Sequence, residues 1–135
     1  VSKVLYLKKG AAKDFLIVDA AMNDLIRPTL YEAYHQIMPI NESQNERAKS
    51  LMDVVGPVCE TGDFLAENRQ MPEFAPDDLI AVMSAGAYGA VQACTYNSRL
   101  TIPEVMVKGE NYAVIRPRPT CEDLINLDQL PNWIE

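Results

Sequence analysis

Short apolar runs separated by turn residues constrain the fold of this chain more than any other feature of its sequence. Six runs of four or five mostly apolar residues occur, at positions 4–7, 15–18, 51–55, 79–83, 104–107 and 112–115. Runs of this length, bounded by Gly, Pro and polar residues, are typical of β-strands. The sequence therefore predicts a mainly β domain, a Greek-key-like β-barrel or sandwich with a few short helices.

The spacing of these runs predicts two hairpins. Residues 4–7 and 15–18 flank a polar connection that contains glycine, and residues 104–107 and 112–115 flank Lys-Gly-Glu-Asn at 108–111. Connections of this kind between two apolar runs favour β-hairpins. Every position of 15–18 is apolar, which predicts a strand that is buried on both of its faces.

Helices and loops account for the rest of the predicted domain. A proline at a helix start and apolar residues at helical spacing predict a short helix over 29–36. Residues 120–123 resemble a capping box before a second short helix. Residues 41–50 are polar and are expected to form an exposed loop, and residues 67–78, with two prolines, a connector. The 135 residues suffice for one domain with a sizeable core.

The charge of the chain excludes one class of partner. Lys and Arg total 12 against 19 Asp and Glu, which gives a formal net charge of −7, and no basic stripe interleaved with aromatic residues offsets it. A field of this sign repels phosphate backbones, so no nucleic-acid partner is expected. No apolar run approaches the ~20 residues that span a bilayer. No secretory signal opens the sequence, so neither a membrane partner nor secretion is predicted.

The cysteines and the histidine exclude several kinds of site. Cys59, Cys94 and Cys121 are an odd number without CxxC spacing, so neither a disulfide framework nor a structural zinc site is expected. A reducing, cytoplasmic location fits this usage best. His35 is the only imidazole, so a three-histidine metal site is impossible and a Ser–His–Asp triad would have to use it. No metal site is predicted.

Three segments place reactive side chains where the backbone turns. In the first, Cys59 and Glu60 lie between Gly56-Pro57, which ends a predicted strand, and a glycine turn at Gly62. A thiol at the edge of a sheet can act as an acid–base group, because it holds a proton at neutral pH and still releases it. The alternative is a small buried hydrophobe beside an ordinary surface glutamate.

The second segment combines a guanidinium with a phenol. Arg27 lies just before the predicted helix and Tyr31 about one turn later. With the exposed N–H groups of that first turn, they could receive a carboxylate or a phosphate. The alternative is that Arg27 pairs with Asp24 or Glu32 while Tyr31 packs through its ring.

The third segment, Ser84-Ala85-Gly86-Ala87-Tyr88-Gly89, surrounds one aromatic residue with five small ones. The backbone can approach a ligand closely there while Tyr88 projects over it. The alternative is a tight turn whose tyrosine fills a gap in the core. The segment has neither the glycine spacing of a dinucleotide fingerprint nor the lysine of a P-loop.

Taken together and in this order, these segments resemble the diaminopimelate decarboxylase family. The matching stretches are DAAMNDLIRPTLYEAYH (19–35), GPVCETGDFLA (56–66), VMSAGAYG (82–89) and YNSR (96–99). Members of this family are pyridoxal-phosphate decarboxylases built from an alanine-racemase-like barrel and a C-terminal β domain. The resemblance runs from about residue 4 to 124 and covers only the β domain. It implies that residues 1–135 are that C-terminal domain and that the N-terminal cofactor-binding barrel is absent from this chain.

The resemblance also implies an activity and residue roles. The family converts meso-diaminopimelate to L-lysine and carbon dioxide, the last step of bacterial lysine biosynthesis, in a homodimer with its active site at the subunit interface. Cys59 would return a proton to Cα, and Glu60 would contact the distal ammonium of the substrate. Arg27 and Tyr31 would hold a substrate carboxylate, and Tyr88 would contact both substrate and cofactor. Pyridoxal phosphate would be bound mainly by the barrel, so the isolated chain is expected to be inactive.

Two alternatives remain. A sister decarboxylase that acts on ornithine, arginine or carboxynorspermidine would share the domain. However, eukaryotic-type ornithine decarboxylases resemble CDGLD where this chain has CETGD (59–63), and they lack its RPxLY arrangement (27–31). A non-catalytic relative could keep the domain as a protein-interaction module, although such a module has no need of Cys59 or Arg27.

Overall fold

The computed structural model of the chain describes residues 1–134, which divide after Ala93 into two compact units. Six strands form the sheet of the first unit: β1 (Ser2–Lys8), β2 (Asp14–Val18), β3 (Ile37–Pro39), β4 (Lys49–Val55), β5 (Phe64–Pro72) and β6 (Leu79–Val82). Their order across the sheet is β3-β6-β1-β2-β4-β5, and the sheet is nearly closed into a barrel. The predicted mainly β fold is confirmed.

The core of the first unit lies inside this sheet. Its largest fully buried apolar side chains come from five of the six strands: Val4, Leu16, Val18, Met52, Val54, Leu65 and Ile80. Burying a side chain of this size stabilises a fold by about 1.5–3 kcal/mol. On β2, Leu16 and Val18 are buried while Phe15 and Ile17, on the other face, are half-buried. The predicted double burial of β2 is therefore complete on one face only.

One pairing in this sheet determines where the candidate site forms. β1 and β2 pair in an antiparallel hairpin, as predicted, whereas β2 and β4 run parallel, with Leu16 opposite Val54. Parallel neighbours end at the same edge of a sheet, and here Ile17 lies opposite Val55. The segment that leaves β2 and the loop that leaves β4 therefore emerge side by side.

The predicted helix over 29–36 is wrong in its second half. Helix α1 spans only Arg27–Tyr31, because Glu32 takes a left-handed conformation (φ 56°) and its N–H bonds back to the carbonyl of Arg27. The chain beyond must reach β3, which pairs with β6 and which no sequence signal predicted. A second short helix, α2 (Gly89–Gln92), follows β6.

The predicted connector at 67–78 is also wrong over its first half. Residues 67–72 belong to β5, which pairs antiparallel with β4 along most of its length. β5 is the last strand in the order of the described sheet, and its polar residues at 67, 68 and 70 are exposed. In the region predicted as an exposed loop, a 3-10 helix spans Glu42–Glu46 and buries Gln44.

The second unit contains the other predicted hairpin and the predicted capped helix. Strands β7 (Glu104–Lys108) and β8 (Asn111–Arg116) pair antiparallel. Helix α3 (Cys121–Ile125) begins with a capping box, in which the hydroxyl of Thr120 accepts from the Asp123 N–H at 3.1 Å. The Asp123 carboxylate in turn accepts from the Thr120 N–H at 2.7 Å. None of the described helices is long and apolar enough to cross a membrane.

Candidate active site

Helix α1 presents a guanidinium and a phenol at its two ends. Arg27 and Tyr31 are four residues apart, a spacing that places two side chains on one face of a helix. Pro28, at the start of the helix, is buried, and α1 packs against β5. Arg27 is half-buried, whereas Tyr31 is 56% exposed. The helix is therefore anchored by one side while these two polar groups remain accessible.

Tyr88 lies next to this helix. The Cζ atom of Arg27 is 5.6 Å from the centre of the Tyr88 ring, within the range of a cation–π interaction. Tyr88 is 64% exposed, so the alternative that its ring fills a gap in the core is wrong. Gly89, which follows it, packs closely on the buried Leu25, because a Cβ there would lie 2.9 Å from Cδ1 of Leu25 and would require that side chain to shift. This close packing brings the start of α2 against the segment that leads into α1.

A fourth side chain joins the cluster. Nε2 of Gln92 donates a hydrogen bond to the hydroxyl of Tyr31 at 3.1 Å. The phenol oxygen accepts this bond, so its own hydrogen can be donated to a ligand. Sequence reasoning missed Gln92, although it lies one helical turn after Tyr88. Gln92 could have been found only if α2 had been predicted, and its four residues, Gly89–Gln92, are too few to give a helical pattern in the sequence.

The loop at 56–63 presents Cys59 and Glu60 at the edge of the sheet. Backbone hydrogen bonds close the loop, from the Gly56 N–H to the Asp63 carbonyl (3.0 Å) and from the Asp63 N–H to the Glu60 carbonyl (3.0 Å). Cys59 and Glu60 are both exposed. The alternative that Cys59 is a small buried hydrophobe is wrong.

Asp63 fastens this loop to the segment before α1. Its side chain is buried, and its two carboxylate oxygens accept from the backbone N–H groups of Met22 (2.7 Å) and Val58 (2.6 Å). The hydroxyl of Thr29, inside α1, also donates to the carbonyl of Gly62. Sequence reasoning missed Asp63. An aspartate after a glycine is ordinary at a turn, so the sequence carried no signal that this carboxylate is buried.

The predicted site residues thus form two linked groups. Direct side-chain contacts join Arg27 to Tyr88 and Tyr31 to Gln92. The loop that carries Cys59 and Glu60 is joined to α1 by the Thr29–Gly62 hydrogen bond. Asp63 joins the same loop to the segment before α1, through Met22. A guanidinium and a phenol suit a carboxylate ligand, and an exposed thiol suits proton transfer. Within the described residues, no group of three or more His, Cys, Asp or Glu is placed to hold a metal ion.

Comparisons with known proteins identify the family of this chain. A family profile described as "Pyridoxal-dependent decarboxylase, C-terminal sheet domain" matches residues 1–86. The diaminopimelate decarboxylase of Zymomonas mobilis is 51% identical over 135 residues, which cover 99% of this chain and 31% of that protein. The chain spans about 30% of the length of the curated relatives it matches.

Solved structures share the fold. The diaminopimelate decarboxylase of Helicobacter pylori complexed with L-lysine matches with a TM-score of 0.84 and 44% identity, over 93% of this chain and 30% of that one. The lysine/ornithine decarboxylase of Vibrio vulnificus complexed with cadaverine matches with a TM-score of 0.62 and 20% identity, over 71% and 25%. The chain belongs to the pyridoxal-dependent decarboxylase family, whose C-terminal sheet domain matches its residues 1–86.

Proposed function

We propose that this chain is the C-terminal, substrate-facing domain of a diaminopimelate decarboxylase, which converts meso-diaminopimelate to L-lysine and carbon dioxide. One observation carries the proposal. In a chain 51% identical to such an enzyme, the Asp63 contacts hold an exposed thiol and carboxylate beside a helix that presents Arg27 and Tyr31. The second carboxylate of diaminopimelate accounts for this cation and phenol better than a diamine precursor with one carboxylate does.

Arg27 and Tyr31 would bind a carboxylate of the substrate. A guanidinium offers paired N–H donors to the two oxygens of a carboxylate. The hydroxyl of Tyr31, oriented by Gln92, would add one O–H donor. The ring of Tyr88 limits the movement of the guanidinium from one side. These groups would orient the substrate so that the bond to be broken is correctly placed.

Cys59 and Glu60, on the loop at 56–63, would supply the remaining contacts to the substrate. When bound, pyridoxal phosphate withdraws the electron pair that departing carbon dioxide leaves on Cα. The thiol of Cys59 would then donate one proton to Cα, and solvent would reprotonate the sulfur, which is exposed. The Glu60 carboxylate would bind the distal ammonium and so select substrates that carry one.

The described residues suit contact with the cofactor but not its covalent attachment. Tyr88 is exposed beside Arg27 and would contact both cofactor and substrate. Of the six lysines, those at 3, 9 and 13 are engaged in ion pairs with carboxylates of the sheet and its connecting loops. The other three, at 8, 49 and 108, lie at the ends of strands β1, β4 and β7. Most of the cofactor site would therefore lie in the N-terminal barrel of the full-length enzyme. The isolated chain would neither develop a visible absorbance band with pyridoxal phosphate nor release carbon dioxide.

The exposed Cys59 loop would meet a second subunit in a cytoplasmic homodimer. Complementation tests this directly. A full-length Cys59→Ala enzyme is mixed, under subunit exchange, with a full-length enzyme whose cofactor-binding lysine in the barrel is replaced. A site shared between subunits predicts that the mixture regains activity that neither parent has. A mixture that stays inactive after exchange is demonstrated would contradict the shared site.

A substrate panel tests the activity. The full-length enzyme is supplied with pyridoxal phosphate and, separately, with meso-diaminopimelate, ornithine, arginine and carboxynorspermidine, and carbon dioxide release is measured. We expect turnover of meso-diaminopimelate in clear preference to the other three. Preference for another member of the panel would replace this substrate assignment, and absence of turnover with all four would favour a non-catalytic role.

A further inference from the structure

Asp63 is the buried carboxylate on which the two site-bearing segments converge. Its side chain is 4% exposed. One oxygen accepts from the backbone N–H of Met22, in the segment that leads into α1, at 2.7 Å. The other accepts from the backbone N–H of Val58, the residue directly before Cys59, at 2.6 Å. A single side chain therefore spans the gap between the thiol loop and the segment that leads to Arg27.

The chemistry of these two bonds requires a carboxylate. Both partners are backbone donors, so the side chain at position 63 must accept at two separate atoms. A carboxylate does so with its two oxygens, whereas the amide of asparagine has one accepting atom and one donating atom. Replacing Asp63 with Asn would leave either Met22 or Val58 with an unpaired, poorly solvated N–H.

Two glycines leave room for Asp63 and for the contact of its loop with α1. A Cβ atom at Gly56 would lie 2.4–2.7 Å from the three carboxyl atoms of Asp63. Similarly, a Cβ at Gly62 would lie 2.7 Å from Cγ2 of Thr29 in α1. The absence of side chains at both glycines is what allows the loop to close on Asp63 and on α1.

We propose that Asp63 is a positioning residue for the decarboxylation, which holds the loop that carries Cys59 in a fixed position relative to the segment that leads into α1. The inference rests on the proposed function. Proton transfer requires the reacting atoms at about 3–3.5 Å, and a displacement of about 1 Å can cost about 100-fold in rate. Releasing Val58 or Met22 would let the Cys59 loop move relative to that segment without removing any group that touches the substrate.

The test compares Asp63→Asn with a matched control in the full-length enzyme loaded with cofactor. Asp53 provides the control, because it is also a buried aspartate whose carboxylate accepts from a backbone N–H, that of Asn68, at 2.7 Å. Its partners, Asn68 and Lys13, lie outside the candidate site. Asp53→Asn therefore reproduces the general cost of changing a buried aspartate.

We expect kcat to fall by about 10- to 100-fold in Asp63→Asn, with KM changed much less, because the carboxylate-binding pair stays on its own helix. Asp53→Asn is expected to keep kcat within about twofold of wild type, since its partners do not touch the site. Hydrogen exchange gives a readout independent of activity. The amides of Met22 and Val58 should exchange faster in Asp63→Asn and should be unchanged in Asp53→Asn.

A second variant keeps the proposal testable if Asp63→Asn fails to fold. Gly56→Ala inserts a methyl group where the Asp63 carboxyl lies and so displaces the carboxylate while keeping it. It should reproduce both the kcat loss and the faster exchange. The kinetics are measured on whichever amino acid of the panel the wild-type enzyme decarboxylates, so a wrong substrate assignment leaves this test intact.

The outcomes separate cleanly. Faster amide exchange with unchanged kcat in both variants would overturn the positioning role, and so would equal kcat losses in Asp63→Asn and Asp53→Asn. Unchanged exchange of Met22 and Val58 would show that Asp63 does not hold the two segments. Activity of wild-type enzyme toward another substrate, with the Asp63 effects as expected, would support the positioning role and reject only the proposed function.

Discussion

The hydroxyl oxygen of Tyr31 lies 3.1 Å from Nε2 of Gln92 and accepts its hydrogen bond. The bond links α1 to α2, two helices of five and four residues that come from distant parts of the first unit. Helices this short have little stability of their own. The orientation of Tyr31 therefore depends on a contact between the helices rather than on the helix that carries it.

Gln92→Leu tests this dependence. Loss of a neutral hydrogen bond costs about 0.5–1.5 kcal/mol, so KM of the full-length enzyme should rise by about 2- to 10-fold with little change in kcat. Gln70→Leu, at an exposed position of β5, is the control and should leave both constants unchanged. Equal effects of the two substitutions in steady-state kinetics would show that Gln92 does not orient Tyr31.

Cys59→Ala tests the proton donor. General acid catalysis contributes about 10²- to 10⁴-fold, so kcat should fall by that factor while substrate still binds. Cys94→Ala and Cys121→Ala remove the other two exposed thiols and should retain kcat. If Cys59→Ala turned over within a few-fold of wild type in an assay of carbon dioxide release, the donor role would be refuted.

Arg27→Met tests the carboxylate contact. A hydrogen bond to a charged group contributes about 1.5–3 kcal/mol, so KM should rise by about 10- to 100-fold. Arg69→Met is a suitable control, because Arg69 also lies over a tyrosine ring, that of Tyr34 at 3.7 Å. The control should have near wild-type KM. An Arg27→Met enzyme with unchanged KM would place the substrate carboxylate elsewhere.

The ionisation of Asp78 makes the free energy of unfolding of the first unit depend on pH. Burial acts to raise the pKa of Asp78, but hydrogen bonds from the Ala75 N–H and the Arg47 guanidinium outweigh it and hold the pKa below its ordinary value. Folding lowers this pKa, so the stabilisation is present above the unfolded pKa of about 3.9 and is lost as the pH falls through the folded value.

Asp78→Asn should therefore lower the free energy of unfolding at pH 7. It should leave that free energy almost unchanged at a pH below both the folded and the unfolded pKa of Asp78. Asp77→Asn is the matched control, because the neighbouring carboxylate is largely exposed and makes only a 3.4 Å ion pair with Lys3. Urea unfolding of the chain at pH 7 and at low pH measures both. A difference between Asp78→Asn and wild type that persisted at low pH would contradict this linkage.

The sequence predicted the strands that carry apolar runs and missed those defined by pairing alone. Residues 15–18 and 51–55 carry their own signal, since they form the core. β5 carries polar residues at 67–70 and ends at Pro72, and only its pairing with β4 makes it a strand. Similarly, α1 ends at Tyr31 because the chain must turn towards β3, a constraint that side-chain periodicity in 29–36 does not contain.

Residues proposed to contact a ligand were easier to predict from the sequence than residues that hold those side chains in place. Arg27, Tyr88 and Cys59 have side chains whose chemistry points to binding or proton transfer. Asp63 and Gln92 have ordinary side chains, and their importance follows from the atoms that happen to lie within 3.1 Å of them. Such contacts depend on the three-dimensional packing, which a single sequence does not state.

The parallel pairing of β2 with β4 also determines when the site appears during folding. Residues 14–17 of β2 each pair with a residue 38 positions later, as Leu16 does with Val54, whereas hairpin partners lie much closer along the chain. Contacts of long sequence separation form slowly, because the intervening segment must first be ordered. Residues 19–26 and 56–63 meet only after this pairing, so ligand competence should emerge later than the β1–β2 hairpin.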